Sequence, residues 1–262
     1  MLHKINTYFW YLYEYVKHGD LRSVVAAIRY LTNKKSHSND RIVQSSIGKF
    51  FCRKNTNDFQ FANFHYEWGV KRYVLKNIQE YSVFIDAGSC IGDYSILAAK
   101  LNKRTIAFEP ILGNFKVLVR NLELNNLSDQ VMAFNVGLGN ECKQVKFEVN
   151  PVNTGASHLD RGNHLGSFPV ELRTFDSLLP ELNLDATDHI LFKLDVEGME
   201  VEALQGAANF IRQYPHITFV AEEKYTGRDK IKSVLDEMGS FEYGTIDKFN
   251  IYAHKISTNP VI

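Results

Sequence analysis

From residue 82 onward the chain alternates short runs of β-branched and aromatic residues with stretches whose apolar side chains recur every three or four positions. Strands separated by helices run parallel, because an antiparallel pair needs only a tight turn, so the pattern predicts an α/β fold with a doubly wound, mostly parallel sheet. The expected strands span 83–87, 105–109, 131–136, 190–195 and 217–222. Most are nearly continuous apolar runs, as burial on both faces requires. Helices are expected at 93–102, 114–125, 200–212 and 229–238, which makes five βα-type units. An insertion from Glu141 to Leu184 carries alternating Val145, Phe147 and Val149, then Val170 and Leu172, and predicts a β-hairpin or flap. At the far end, apolar runs at 241–246 and 249–254 flank Asp247 and Lys248, which predicts an antiparallel hairpin at one sheet edge.

A chain of 262 residues suits one such domain with an appendage, and 45% apolar with 23% charged residues supplies a full-sized core. Thirty basic residues balance thirty acidic ones, so the broad cationic surface of a nucleic-acid binder is missing. Cys52, Cys90 and Cys142 lie far apart, without the spacing of a zinc site or a disulfide scaffold, and fit a reducing, cytoplasmic setting.

The domain reading is a helical extension and linker over 1–41, a substrate-side capping segment over 42–81, and a catalytic domain over 82–256. In the extension, Leu2, Ile5, Phe9, Leu12 and Val16 step at helical spacing, and Leu21, Val24, Val25, Ile28 and Leu31 resume it after Gly19. Lys4, Glu14, Lys17, Asp20 and Arg22 interrupt any run long enough to span a bilayer or act as a signal. Two amphipathic helices are predicted, followed by a linker over 32–41. Their stripe is expected to pack on the main domain or on a second subunit. Seven basic residues against three acidic ones through position 41 leave a second reading, peripheral contact with the inner face of a membrane. In the capping segment, strands are expected around 47–52 and 59–61 and a helix around 67–77. The aromatic stretch 59–68 is expected to be core packing, with a platform for a sugar ring as the other reading.

The chemistry concentrates where the first strand of the series ends, in Asp86-Ala87-Gly88-Ser89-Cys90-Ile91-Gly92. Ligands of open α/β sheets bind at such turns. The G-x-G-x-x-G fingerprint of dinucleotide sites is missing, and Asp86 would repel a pyrophosphate but suit a cationic amine. Glu109 ends the second strand 23 residues after Asp86, about where a carboxylate receives the ribose hydroxyls of a nucleoside. Two acids around a glycine turn point to an adenosine-bearing cation, and S-adenosylmethionine has that composition.

Five runs extend this pattern: Asp86-Ala87-Gly88 to Gly92, Phe108-Glu109-Pro110 with Asn114, Phe115 and Asn121, Asn135 to Gly139, Thr174 to Leu178, and Lys193 to Glu200. In this order they resemble the FkbM family of S-adenosylmethionine-dependent methyltransferases, over about residues 82–223. The resemblance implies a class I methyltransferase fold and O-methylation of hydroxyls on sugars or natural products. It also implies cofactor contacts from Asp86, Gly88, Ser89, Cys90, Gly92, Tyr94, Glu109, Pro110, Asn114, Asn135, Val136 and Asp195. Cys90 stands where the family usually has asparagine, which puts one hydrogen bond to the cofactor in question.

Lys193, Asp195 and Glu197 alternate at period two at the end of the fourth strand, before a turn at Gly198. Methyl transfer to a hydroxyl needs alignment and removal of the alcohol proton. The candidate bases are Asp195, Glu197 and His158, with cofactor orientation as the other role for Asp195 and a plain loop position as the other reading of His158. Glu222 and Glu223 add oxygen donors, but no spacing signature supports a divalent metal, and solvated acids capping the strand are the expected reading. Asp176 is expected to cap a helix beginning at Ser177.

The leading reading is an O-methyltransferase acting on a sugar, glycan or glycan precursor, with a lipid-linked acceptor if the extension meets a membrane. The alternatives are a non-catalytic module that kept the fold, and a nicotinamide-dependent oxidoreductase. Nucleic acid is not an expected partner.

Overall fold

The structure is a computed structural model that describes residues 2–33, 36–148, 150, 152–155, 158–159 and 167–256, without the side chains of 2–6 and 158–159. The chain begins with helices α1 (Leu2–Lys17) and α2 (Leu21–Asn33), a strand pair β1 (Arg41–Gln44) and β2 (Lys49–Cys52), a short helix α3 (Asp58–Phe61), and α4 (Trp68–Asn77). There follow β3 (Val83–Ala87), α5 (Asp93–Lys100), β4 (Arg104–Phe108), α6 (Leu112–Leu124), β5 (Val131–Phe134) and β6 (Gly137–Leu138). The insertion contributes β7 (Lys143–Glu148), β8 (His158–Leu159), β9 (Ser167–Arg173) and α7 (Phe175–Leu182). The last part comprises β10 (Ile190–Leu194), α8 (Glu200–Gln205), α9 (Ala208–Gln213), β11 (Ile217–Glu222), α10 (Arg228–Asp236), β12 (Phe241–Thr245) and β13 (Asn250–Lys255).

Among the described residues the main sheet has seven strands in the order β12-β13-β11-β10-β3-β4-β5. All neighbours run parallel except β13, antiparallel to both β11 and β12. This is the class I methyltransferase arrangement, and the chain winds outward in both directions from β3. Period-two alternation sorts the core. Val83, Ile85, Phe192 and Phe219 face α7, α9 and α10 through Leu178, Phe210 and Ile231, whereas Phe84, Leu191 and Val220 face Val74, Ile78 and Ala98. Burying each of these phenylalanines contributes about 2–3 kcal/mol of transfer free energy. Residues before 82 join the same body, since Tyr15, Ala26, Phe50 and Phe59 pack with Ile96, Val117 and Leu118.

Several local expectations are corrected. Residues 59–61 lie in α3, a helix, because Ala62 N donates to Asp58 O and Asn63 N to Gln60 O. The insertion is more than a hairpin, since β7 pairs with β8 and β9 while β9 also pairs with β6. The helix expected over 200–212 breaks at Gly206, where a Cβ would meet Gly139 O at 1.9 Å. Asp176 does not cap its own helix, because Thr174 caps α7 by accepting Ser177 N. Its carboxylate instead accepts Asn209 N and Phe210 N, both at 2.9 Å, and so caps α9.

Among the described residues, the apolar stripe of the N-terminal helices, Val24 apart, does not pack on the main domain. The inward face of α1 and α2 carries Glu14, Tyr15, Ser23 and Ala26, while Phe9, Leu12 and Val16 and then Leu21, Val25 and Ile28 are exposed. Glu14 is buried because it accepts Ser46 N at 2.6 Å and Ser46 Oγ at 3.1 Å, and Asp20 because Arg41 lies 2.7 Å away. Among the described side chains of the expected stripe, Val24 alone is partly buried against the core. No helix among the described residues is long and apolar enough to cross a membrane.

Candidate active site

A cleft of about 1150 Å³, counting its open mouth, lies at the carboxyl ends of β3, β4, β10 and β11. This is the switch point where the winding direction reverses. Asp86 stands at the end of β3 and is 1% exposed. Its Oδ2 accepts Ser95 Oγ at 2.6 Å, but its Oδ1 has no partner among the described residues. Burial lifts its pKa to about 6, against the pull of Lys193, its register neighbour on β10.

The glycine turn is built from backbone. Gly88 has φ +84°, and its amide and that of Ser89 both donate to Phe108 O at 3.0 Å, which ties the ends of β3 and β4 together. Cys90 follows with φ +48° and donates its amide to Glu109 Oε2 at 2.8 Å. Asparagine tolerates this left-handed region better than other side-chain-bearing residues, which is a backbone reason for asparagine there. Burial pushes the Cys90 thiol up, so it stays protonated. Glu109 Oε1 accepts Ile111 N at 2.8 Å, and burial raises this carboxyl to about 7. Its Oε2 retains a lone pair for a further donor.

Of the residues expected at the cofactor, Asp86, Gly88, Ser89, Cys90, Tyr94, Glu109, Pro110, Asn114, Val136 and Asp195 line the cleft. Gly92 and Asn135 do not. Gly92 precedes α5 at φ +89°, where a Cβ would meet Leu118 Cδ1 at 2.3 Å. Asn135 stands behind the wall and donates its amide to the carbonyls of Glu109 and Pro110 at 2.8 and 3.1 Å, which fixes the turn after β4. The backbone of His158 pairs with Glu148, but its side chain is outside the described residues.

Asp195 and Glu197 line the same cleft with Lys193 and Glu222. Lys193 Nζ donates to Asp195 Oδ2 at 2.9 Å and lies 4.8 Å from the Tyr94 ring centroid. Burial opposes the Lys193 charge, yet Asp195, Glu67 and Asp86 outweigh it and hold its pKa above the usual value. Glu197 sits in a turn at φ +52° followed by Gly198 at +94°. Glu200 holds that turn: its Oε1 accepts Gly198 N at 3.1 Å and Val196 N at 3.3 Å, and its Oε2 accepts Thr226 Oγ1. Burial, reinforced by Asp195, lifts Glu197 to about 8, and burial lifts Glu222 to about 7. Glu223 is diverted to Arg228 through two hydrogen bonds. Among the described residues no group of three or more His, Cys, Asp or Glu side chains is arranged to hold a metal ion.

The sequence pattern did not point to two parts of the wall. Glu67, at φ +50° ahead of α4, accepts Tyr94 OH at 3.1 Å, and burial raises it to about 7. Nothing in its neighbourhood along the chain marks it. The tip of the insertion closes over the glycine turn: Thr154 O accepts Asn114 Nδ2 at 2.9 Å, and Thr154 Oγ1 donates to Asp58 Oδ1 at 2.9 Å. Asp58 is in turn gripped by Arg53 at 2.8 and 2.9 Å. The Asn153-Thr154-Gly155 turn was the available signal here.

The Methyltransferase FkbM domain matches residues 86–245. Hexuronic acid methyltransferase AglP of Haloferax volcanii is 29% identical over 164 residues, 62% of this chain and 64% of that protein. Methyltransferase 1 of Beauveria bassiana is 31% identical over 158 residues, 52% of this chain and 62% of that protein. The chain thus matches under two thirds of the length of either relative. Among solved structures, methyltransferase FkbM from Methylobacillus flagellatus KT superposes with a TM-score of 0.46 at 19% identity, covering 67% of this chain and 44% of that one. With more than half its length matched by the domain, the chain belongs to the FkbM methyltransferase family.

Proposed function

We propose that this protein is an S-adenosylmethionine-dependent methyltransferase that methylates a hydroxyl of a sugar, glycan or glycan precursor. The observation that carries the reading is the unpartnered Oδ1 of buried Asp86, which shares one cleft with Glu109 and Glu197. A buried carboxylate oxygen without a donor is costly unless a ligand completes it, and a cationic ammonium is the donor that also relieves its charge. The donor set fits this cofactor: Asp86 for the ammonium, Glu109 Oε2 for a ribose hydroxyl, and the apolar sides of Ile111 and Val136 for the base.

When bound, the cofactor supplies an electrophilic methyl on a sulfonium, and transfer exchanges its C–S bond for a C–O bond. The protein's own tasks are alignment and proton removal. Lys193 holds Asp195 in an ion pair at 2.9 Å, which supports an orienting role for Asp195. Glu197, raised to about 8, is the base that takes the acceptor's proton on its carboxylate, since its basicity lies near working pH. The sugar acceptor is supported by the likeness to a hexuronic acid methyltransferase.

Calorimetric titration with S-adenosylhomocysteine, then methyl transfer assays on uronic acid and neutral hexose glycosides, tests the reading. Saturable binding and transfer to a sugar hydroxyl are expected. A folded chain that binds neither S-adenosylmethionine nor S-adenosylhomocysteine would overturn it.

A further inference from the structure

The N-terminal helices present an unusual surface. Ten of the eighteen exposed large apolar side chains among the described residues lie between positions 8 and 31, each 39–66% exposed. On α1 they include Phe9, Leu12 and Val16, and on α2 Leu21, Val25 and Ile28, spaced so that each set forms one face of its helix. A monomer rarely leaves such surface to water without a use.

Charge identifies what covers it. The acid of α1 and the acid just ahead of α2 are turned inward, Glu14 onto Ser46 and Asp20 onto Arg41, whereas Lys17, Arg22 and Arg29 are exposed. The outward surface of the helical pair is therefore apolar and cationic. Leu21, Val25, Arg22 and Arg29 also line a shallow cleft with Ser36 and His37. In its lining the Ser36 hydroxyl, in a residue 4% exposed, has no hydrogen-bond partner among the described residues. Burial, then Arg41, lowers His37 to about 4, so it stays neutral at working pH and offers no competing charge. Arginines beside an unsatisfied hydroxyl and an apolar wall match a lipid phosphate with its acyl chains alongside.

We propose that α1 and α2 dock this protein on an anionic bilayer surface, with the exposed faces at the headgroup–acyl boundary and Arg22, Arg29 and Ser36 on a lipid phosphate. A second copy fits less well, because joining two such faces would bring like charges together. The surface lies one layer from the active-site cleft. Asn63 Nδ2 donates to Tyr11 O at 3.1 Å and Tyr15 OH to Phe59 O at 3.2 Å, and Phe61, Tyr66 and Glu67 of that same segment line the cleft.

The test is flotation of the full chain with vesicles of phosphatidylcholine alone and of phosphatidylcholine mixed with phosphatidylglycerol. Binding to the mixed vesicles alone, weakened by salt, is expected. Arg22→Gln with Arg29→Gln should lower partitioning about thirty-fold. Val25→Ser with Ile28→Ser should abolish it, with both variants keeping the wild-type circular dichroism spectrum and cooperative melting. Failure to float with mixed vesicles would overturn the proposal. So would a light-scattering mass of a dimer that Val25→Ser with Ile28→Ser returns to monomer, which would make this face an interface between copies.

Discussion

A Cβ built on Gly88 would lie 1.8 Å from the carbonyl oxygen of Asp195. The glycine turn after β3 and the chain just after β10 therefore touch through bare backbone, and Asp195 N donates back to Ala87 O at 3.1 Å. At φ +84° any side chain also strains the backbone. Gly88→Ala is expected to cost about 2–4 kcal/mol in urea unfolding and to abolish S-adenosylhomocysteine binding. A variant of wild-type stability would show that the two strand ends part freely.

Asp86→Asn separates binding from folding. Losing a charge-assisted acceptor should weaken S-adenosylhomocysteine about 10- to 100-fold by calorimetry. The apo fold should respond in the opposite direction. A carboxyl raised to about 6 by burial contributes stability below its unfolded value near 3.8 and loses it as pH rises through 6. At pH 8 the neutral asparagine therefore melts higher than wild type, and a lower melting temperature would contradict the assigned cause.

The proposal that Glu197 is the base fixes a pH profile: the carboxylate must be ionised to act, so kcat/KM should rise with pH to an inflection at about 8. Glu197→Gln should lower kcat about 10²- to 10³-fold and leave S-adenosylhomocysteine affinity nearly unchanged. If kcat survives the substitution, the proton leaves by another route. In stability the sign is that of Asp86: the contribution is full below about 4.5 and lost through about 8, so the variant gains on wild type across that window in urea midpoints.

Asp176→Ala provides a control outside the cleft. Its carboxylate caps α9 through Asn209 N and Phe210 N. The loss should be about 1–2 kcal/mol of stability with kcat and KM intact. A selective loss of activity would assign Asp176 a role that the structure does not indicate.

The central sheet, its edge hairpin and the acids at the ends of β3 and β4 were legible in the chain because each is a local pattern. Apolar runs such as 83–87 and 190–194 have only one environment that suits them, and a glycine turn after Asp86 places that acid at a strand end in any parallel sheet. The proximity of Asp195 and Glu197 to the same cleft followed from their place after β10.

Direction and partnership were decided by contacts between distant segments. Helical period marks α1 and α2 as two-faced, but which face turns inward depends on Ser46 and Arg41 supplying partners that make burial of Glu14 and Asp20 affordable. Asp176 reads along the chain as a cap for its own helix, yet Gly206 lets α9 approach, and the carboxylate serves that helix instead. Glu67 reaches the cleft only because α4 packs against the sheet. Periodicity and turn chemistry act over a few residues, so they specify elements and strand ends. The satisfaction of buried polar groups acts between whichever segments meet, so only the folded chain determines which groups are buried and what completes them.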